Sequence, residues 1–138
     1  MNLSFQPVLD AIPDARRAVE GLADELSPQA LQDARLLVSE LVTNSIHHGG
    51  LHAGQRVLLR ARVDGAIVRI EVENPGRGFE LEPGSPEEER ETGWGLVLVG
   101  RLADRWGIES DGSTRVWFEI DRFRATARAS RFEHGDTG

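Results

Sequence analysis

Two Asp-Gly dipeptides limit the folds open to this chain of 138 residues more than any other local feature. Asp64-Gly65 and Asp111-Gly112 each stand between two runs in which apolar and polar residues alternate. The runs are residues 56–63 and 66–73 around the first dipeptide, and residues 105–109 and 114–120 around the second. This arrangement is typical of tight β-hairpins. We therefore expect two antiparallel hairpins, with residues 3–8 as a short edge strand.

Helical periodicity accounts for much of the remaining chain. Ser27-Pro28 is a typical helix start and Gly49-Gly50 a typical stop, and the apolar residues between them have helical spacing. Shorter helical patterns cover residues 15–26, after a turn at residues 12–14, and residues 94–104. Because a sheet with one apolar face must be covered, this order predicts an α+β two-layer sandwich. Its mixed, largely antiparallel sheet would carry helices packed on one face.

Composition excludes several classes of function. The net charge of −7 argues against non-specific nucleic-acid binding, which depends on neutralising phosphates. All 16 basic side chains are Arg, so mechanisms that need a Lys, including the P-loop, are excluded. The lack of Cys excludes disulfides, thiolate zinc sites and cysteine nucleophiles. Neither a signal-peptide pattern nor an apolar run of the ~18–20 residues that span a bilayer is evident, so we expect a cytoplasmic protein.

Glu40 and Asn44 lie one turn apart in the long predicted helix and share a face with Leu36 and His48. The apolar stripe lies one position further round, so this face borders the buried side of the helix. Asn44 offers an uncharged oxygen to Mg²⁺, and Glu40 is placed to accept a proton from a hydroxyl or water. Taken alone, the pair is better explained as a solvated Glu and an Asn near a helix end, because short motifs often match by chance.

Two glycine-containing segments suit a nucleotide. Residues 74–78, Asn-Pro-Gly-Arg-Gly, follow a strand directly, and their glycines permit positive φ and close approach of a ligand. Residues 93–96, Gly-Trp-Gly-Leu, precede a helix whose N-terminus would present free N–H groups to phosphate. An ordinary turn and a plain loop-to-helix junction are the alternatives. The histidines at 47, 48 and 52 match no zinc spacing, and His48 is interpreted as a structural residue near the site.

The segments SELVTNSIHHG, VENPGRGFE, GWGLVLVGRLADRWGI and STRVWFEI together resemble the GHKL, or Bergerat-fold, ATPases. The similarity covers roughly residues 8–121 and is strongest to the small bacterial anti-sigma-factor serine/threonine kinases. It implies the Bergerat ATP-binding fold, ATP and Mg²⁺ as cofactors, Glu40 as the general base and Asn44 as the Mg²⁺ ligand. The nucleotide-binding residues that it implies are Asn44, His48, Asn74, Gly76, Gly78, Phe79, Gly93, Trp94, Gly95, Leu96 and Thr114.

Asn74 departs from the pattern of this family. The family usually has Asp at this position, where the carboxylate accepts a hydrogen bond from the exocyclic amine of adenine. An Asn accepts through its carbonyl oxygen but lacks the charge, which contributes about 1–2 kcal/mol. The resemblance therefore implies ATP binding about tenfold to thirtyfold weaker than with Asp.

The resemblance also implies a biological role. It predicts one domain over residues 1–122, an ATP lid at about residues 79–92 and a loosely ordered polar tail at residues 123–138. The domain would transfer the γ-phosphoryl group of ATP to a Ser of an anti-anti-sigma protein, act on a sigma factor and form a homodimer, without membrane or direct nucleic-acid contact. One alternative is a non-catalytic regulator that sequesters a sigma factor with weak or no ATP binding. A detached histidine-kinase catalytic domain ranks third.

Overall fold

The computed structural model describes residues 1–6, 8–48, 55–75 and 96–125 of the chain. Its helices are α1 (Ala11–Glu20), α2 (Pro28–His48) and α3 (Leu96–Leu102). Its strands are β1 (Asn2–Phe5), β2 (Val57–Asp64), β3 (Ile67–Asn74), β4 (Arg105–Ser110) and β5 (Thr114–Asp121). No helix within these four ranges is long and apolar enough to cross a lipid bilayer.

The five strands form one sheet in the order β1-β2-β3-β5-β4, and each of these four pairings is antiparallel. Gly65 and Gly112 have φ values of 62° and 78°. This is the left-handed region that a tight hairpin turn requires and that glycine adopts without a steric penalty. Both predicted hairpins are therefore confirmed. The edge strand beside β2 is also present, but β1 spans Asn2–Phe5 instead of the predicted residues 3–8.

One hydrophobic core lies between the helices and one face of the sheet. From α2, the side chains of Leu37, Val38, Leu41 and Val42 have no exposed surface. The sheet contributes alternate residues, because every second side chain of a strand points to the same face. These residues are Val57, Leu59, Val68, Ile70, Val72, Val116, Phe118 and Ile120. The predicted α+β two-layer fold is therefore confirmed.

The opposite face of the sheet is polar and is held by ion pairs between strands. The guanidinium of Arg69 pairs with the carboxylates of Glu71 at 3.5 Å and Glu119 at 3.2 Å. The same guanidinium stacks 4.1 Å from the ring centroid of Trp117. A Cβ atom at Gly107 would lie 2.8 Å from the Trp117 ring, so that position has room only for glycine.

The start of α2 is fastened to the chain that follows β5. The Ser27 N–H donates to the Arg122 carbonyl at 2.8 Å, and the Ser27 hydroxyl donates to the Arg124 carbonyl at 2.7 Å. The Ser27 Oγ atom also accepts from the N–H of Ala30 at 3.1 Å, which is the N-cap bond expected of a Ser at this position. The helix therefore begins at the end of the sheet where β5 ends.

The α2 helix packs against both β3 and β5. Its start is hydrogen-bonded to the chain that follows β5. At about 1.5 Å per helical residue and 3.3 Å per strand residue, the path from Ser27 to Ser45 and that from Arg122 to Thr114 both span roughly 27 Å. The two paths are therefore about equally long.

The first helix differs from its predicted span. α1 begins at Ala11 and tolerates Pro13 because the first turn needs no N–H donor there. It ends at Glu20 instead of residue 26, since Gly21 is a poor helix former and its N–H turns back to the Ala18 carbonyl at 3.1 Å. The third helix is described from Leu96, and residues 94 and 95 of its predicted span lie outside the described residues.

Candidate functional site

Asn74 and Thr114 are brought together at one end of the sheet. Asn74 is the last residue of β3 and Thr114 the first of β5, and they are directly paired across the two strands. Their side chains are 0% and 1% exposed. They alternate with residues of the polar face and continue the buried rows of β3 and β5, so both belong to the face that the helices cover.

Glu40 and Asn44 lie on α2 along a line that leads from solvent into the interior. Leu36, at the outer end of this line, is 44% exposed, while Glu40 is half-buried and Asn44 is 2% exposed. Neither a hydrogen bond nor an ion pair to the Glu40 carboxylate is found in the part of the chain that the structure describes. A carboxylate without a cationic partner at the mouth of a buried site is available to accept a proton.

The two pairs of residues lie on elements that contact each other. The helix that carries Glu40 and Asn44 packs against both strands that carry Asn74 and Thr114. Asn44, Asn74 and Thr114 are thus buried uncharged polar side chains on three elements that contact one another, and Glu40 is half-buried one turn before Asn44. Such groups can form hydrogen bonds to a ligand that is itself largely uncharged where it is buried.

The amide of Asn44 fits the role of a ligand group. Its Nδ2 atom is buried and has no hydrogen-bond partner among the described residues, and a buried amide without partners is costly. No group of three or more His, Asp or Glu side chains within the described ranges could hold a metal ion by itself. Mg²⁺ commonly takes only one or two protein ligands and is otherwise bound by phosphate oxygens and water, so a single amide oxygen is a suitable contribution.

Glu73 stabilises the strand ends from the polar face. Its carboxylate accepts hydrogen bonds from Arg60 Nη1 at 2.6 Å and from the Ser113 hydroxyl at 3.1 Å. Partial burial raises the pKa of Glu73, but these two hydrogen bonds and the charges of Arg60 and Arg115 outweigh it and hold the pKa below its ordinary value of 4.5. Glu73 therefore joins β2, β3 and the turn before β5 directly beside Asn74.

Several predicted site residues cannot be compared with the structure. Gly76, Gly78, Phe79, Gly93, Trp94 and Gly95, with the predicted lid at residues 79–92, lie outside the described residues. Only the backbone is described for His48, which ends α2, and for Leu96, which begins α3. The roles assigned to these residues stay predictions.

Sequence reasoning missed two features of this site. Ser45 lies within the apolar stripe of α2, yet its buried hydroxyl has no hydrogen-bond partner among the described residues. A polar residue within that stripe was the available signal. The contacts of Glu73 with Arg60 and Ser113 join residues 13 and 40 positions apart, and no local pattern indicates them.

Comparison with known proteins identifies related sequences over most of the chain. The profile of the histidine kinase-like ATPase domain family matches residues 5–120. An anti-sigma F factor of Clostridium acetobutylicum is 32% identical over 121 residues, which cover 80% of this chain and 84% of that protein. An anti-sigma F factor of Thermoanaerobacter pseudethanolicus is 30% identical over 119 residues, with coverages of 80% and 83%.

A solved structure has the same fold. It is the crystal structure of the RsbU and RsbW domains of Rv1364c from Mycobacterium tuberculosis, which matches with a TM-score of 0.68 at 19% sequence identity. The match covers 91% of this chain but 34% of the other chain, so this chain spans about a third of that protein's solved part. At this identity the likeness concerns the fold alone, and it agrees with the predicted Bergerat architecture.

Proposed function

Because this chain belongs to the histidine kinase-like ATPase domain family, we propose that it is an ATP-binding anti-sigma factor with serine/threonine kinase activity. Its substrate would be a Ser of an anti-anti-sigma protein. The amount of that protein left unphosphorylated would decide whether a sigma factor is held. The similarity to anti-sigma F factors over four fifths of the chain supports the regulatory role.

One observation carries the enzymatic part of the proposal. Glu40 is a half-buried carboxylate without a partner among the described residues, and it lies one turn before the buried Asn44 on a helix that contacts the strands of Asn74 and Thr114. This arrangement supports Glu40 as the group that takes the proton of a partner's hydroxyl.

Transfer of the γ-phosphoryl group to serine needs one proton acceptor, and Glu40 would fill this role. The serine oxygen attacks the γ-phosphorus of ATP, the bond from that phosphorus to the β–γ bridging oxygen breaks, and ADP leaves. Glu40 takes the proton of the serine hydroxyl as the new P–O bond forms. Asn44 would hold Mg²⁺ through its amide oxygen, and the metal would neutralise charge on the phosphates. Positioning and neutralisation supply most of the rate enhancement of phosphoryl transfer.

Phosphotransfer to a purified anti-anti-sigma protein from the same organism tests this proposal. With ATP labelled on the γ-phosphate and Mg²⁺, the native chain should label a Ser of that protein, as mass spectrometry of the product can establish. Glu40→Gln should lower the rate by about 10²- to 10⁴-fold, because general-base catalysis is lost. Its ATP affinity, measured by titration calorimetry, should stay within about twofold, since Glu40 acts on the hydroxyl and not on the nucleotide.

Glu25→Gln is the matched control, because Glu25 is an exposed carboxylate in the turn between α1 and α2. Its transfer rate should equal that of the native chain. Full activity of Glu40→Gln would contradict the assignment of the base. A native chain that binds ATP but labels no partner would contradict kinase activity itself.

The second candidate function is a non-catalytic regulator that sequesters a sigma factor. Asn74 favours it, because a neutral amide at the adenine-reading position predicts weaker ATP binding than a carboxylate. Titration with ATP and Mg²⁺ separates the two candidates, since the kinase must bind ATP with measurable affinity and the sequestering module need not. For either candidate we propose a cytoplasmic homodimer whose domain spans residues 1–122, with residues 79–92 as lid.

A further inference from the structure

A hydrogen-bonded group on the polar face of the sheet has no part in the proposed mechanism. It consists of Arg60, Glu73 and Ser113, and both carboxylate oxygens of Glu73 are used. Arg60 Nη1 donates to one oxygen at 2.6 Å, and the Ser113 hydroxyl donates to the other at 3.1 Å. The side chain of Glu73 is 19% exposed, so water competes only in part for these bonds. One carboxylate therefore connects β2, β3 and the turn before β5.

The bond between Glu73 and Ser113 lies where the ladder between β3 and β5 ends. The last pair of that ladder is Asn74 and Thr114. Glu73 directly precedes Asn74 in the chain, and Ser113 directly precedes Thr114. The final pair of a ladder has a neighbouring pair on one side only, and strand ends open more easily than the middle of a sheet. A side-chain bond across this end therefore restricts the opening of that pair.

Glu73 does not itself face the nucleotide site. Successive side chains of a strand point to opposite faces, and Asn74 is buried on the face that the helices cover. An effect of Glu73 on a bound nucleotide therefore passes through the backbone to Asn74 and, across the strands, to Thr114. A ligand that requires these two side chains to be aligned binds in proportion to the population in which they are aligned. The bond at the strand ends is in a position to set that population.

We propose that Glu73 and Ser113 are positioning residues of the nucleotide site: the bond between them holds the ends of β3 and β5 together, so that Asn74 and Thr114 are aligned before the nucleotide binds. This inference rests on the proposed nucleotide binding and adds to it two residues that do not contact the ligand. Alignment in the free protein raises affinity, because the free-energy cost of ordering the strand ends then does not fall on the binding step.

A second ion pair on the same face separates positioning from general strengthening of the sheet. Glu119 pairs with Arg69 at 3.2 Å, and its side chain is 16% exposed, close to the 19% of Glu73. Arg69 and Glu119 are directly paired across β3 and β5, five residues along the strands from Asn74 and Thr114. At about 3.3 Å per residue this separation is roughly 16 Å. Loss of the Glu119 carboxylate should therefore weaken the sheet without disturbing the alignment at its end.

Ser113→Ala tests the proposal because it removes only the hydroxyl that bonds across the strand ends. Titration calorimetry should give affinities for ATP and ADP about threefold to tenfold lower than those of the native chain. The factor should be the same for both nucleotides, because they share the base. Ser113→Thr keeps a hydroxyl and should retain the native affinities. Glu73→Ala should also lower affinity, and adding Ser113→Ala to it should cause no further loss, since both changes remove the same bond.

Glu119→Ala is the matched control, since it also deletes a carboxylate that joins β3 to β5 on the polar face. Its ATP and ADP affinities should equal those of the native chain. Unchanged affinities in Ser113→Ala would overturn the proposal, as would an equal loss in Glu119→Ala or additive losses in the double variant. A loss confined to ATP would also overturn it, because the altered contact would then lie at the phosphates. Failure of the native chain itself to bind either nucleotide would instead refute the nucleotide site.

Discussion

Asn74 is fully buried, and this burial determines what an amide gains and loses there compared with a carboxylate. A buried carboxylate must lose its hydration, and without a cation beside it this raises the free energy of the ligand-free fold. A neutral amide avoids most of that cost. It makes a weaker hydrogen bond to an exocyclic amine in return. Asn74 therefore favours the stability of the free protein over affinity for ATP.

Asn74→Asp should change these two quantities in opposite directions. ATP affinity, measured by titration calorimetry with Mg²⁺, should rise by up to about tenfold to thirtyfold because the hydrogen bond gains a charge. The free energy of unfolding without nucleotide should fall by about 1–3 kcal/mol because a carboxylate is buried. The same change at the exposed Asn2 should affect neither quantity. Unchanged ATP affinity in Asn74→Asp would mean that the amide already suffices.

At the scale of secondary-structure elements, Arg124 connects α2 and α3. Its guanidinium donates to the Asp33 carboxylate at 2.9 Å and to the Leu102 carbonyl, at the end of α3, at 2.8 Å. It also pairs with Asp104 at 3.1 Å, and Gln29 donates to Asp33 at 2.8 Å. A cation at the end of α3 also opposes the negative end of the helix dipole. This network fixes α3 against the helix that carries Glu40 and Asn44.

Arg124→Ala should lower the free energy of unfolding by about 3 kcal/mol, because it leaves the carboxylate of Asp33 buried without its cation. Urea denaturation measures this loss. Asp33→Asn in the same chain should restore part of the stability, since the uncompensated charge is removed while Gln29 keeps an acceptor. Arg17→Ala, which removes an exposed ion pair with Asp14, is the control and should cost less than about 1 kcal/mol. A small loss of stability in Arg124→Ala would contradict the role of Arg124 in connecting α2 and α3.

At the scale of the whole molecule, the stability of this acidic chain depends on how its carboxylates are paired. Glu73 has a pKa below 4.5 in the folded state through Arg60, Ser113 and Arg115. A folded-state pKa that is lowered adds stability above the unfolded pKa, and this stability is lost as the pH falls through the folded pKa. Glu73 therefore contributes to stability at neutral pH and loses that contribution in acid, below about pH 4.5.

Glu73→Gln should reveal this pH window. At pH 7 the variant should be less stable than the native chain by about 0.5–1 kcal/mol, the size expected for a partly exposed pair. The difference should shrink steadily below pH 4.5 in urea denaturation series. Arg60→Gln is the complementary control. Because it removes the cation beside Glu73, the pH-dependent stability that Glu73 contributes should be smaller in this variant. A stability difference that does not change between pH 7 and pH 3 would contradict the role given to Glu73.

Much of the architecture could be predicted because its causes are local. The Asp-Gly turns need only the φ freedom of Gly65 and Gly112. The start of α2 needs only the Ser27 hydroxyl and an N–H three residues later. The burial of Asn44 at the edge of the apolar stripe follows from the helical repeat. Each of these causes lies within about one turn of chain.

The early end of α1 shows where local reasoning stops. Apolar residues continue at helical spacing as far as Leu26, and both Leu22 and Leu26 are buried as that spacing predicts. The chain nevertheless leaves the helix after Glu20 and buries them from turns instead. Periodicity reports which residues face the core, and several backbone conformations can satisfy it.

The sequence by itself therefore determined the turns, the long helix, the alternation of the strands and the identity of Glu40, Asn44, Asn74 and Thr114 as candidates. Tertiary structure alone decided that the Ser45 hydroxyl and the Nδ2 atom of Asn44 are buried without hydrogen-bond partners among the described residues. It also decided that Arg124 reaches Asp33 across 91 positions. The reason is physical: a turn or a helix cap is satisfied by neighbours in the chain, whereas the burial and pairing of a polar atom depend on residues that only packing brings near.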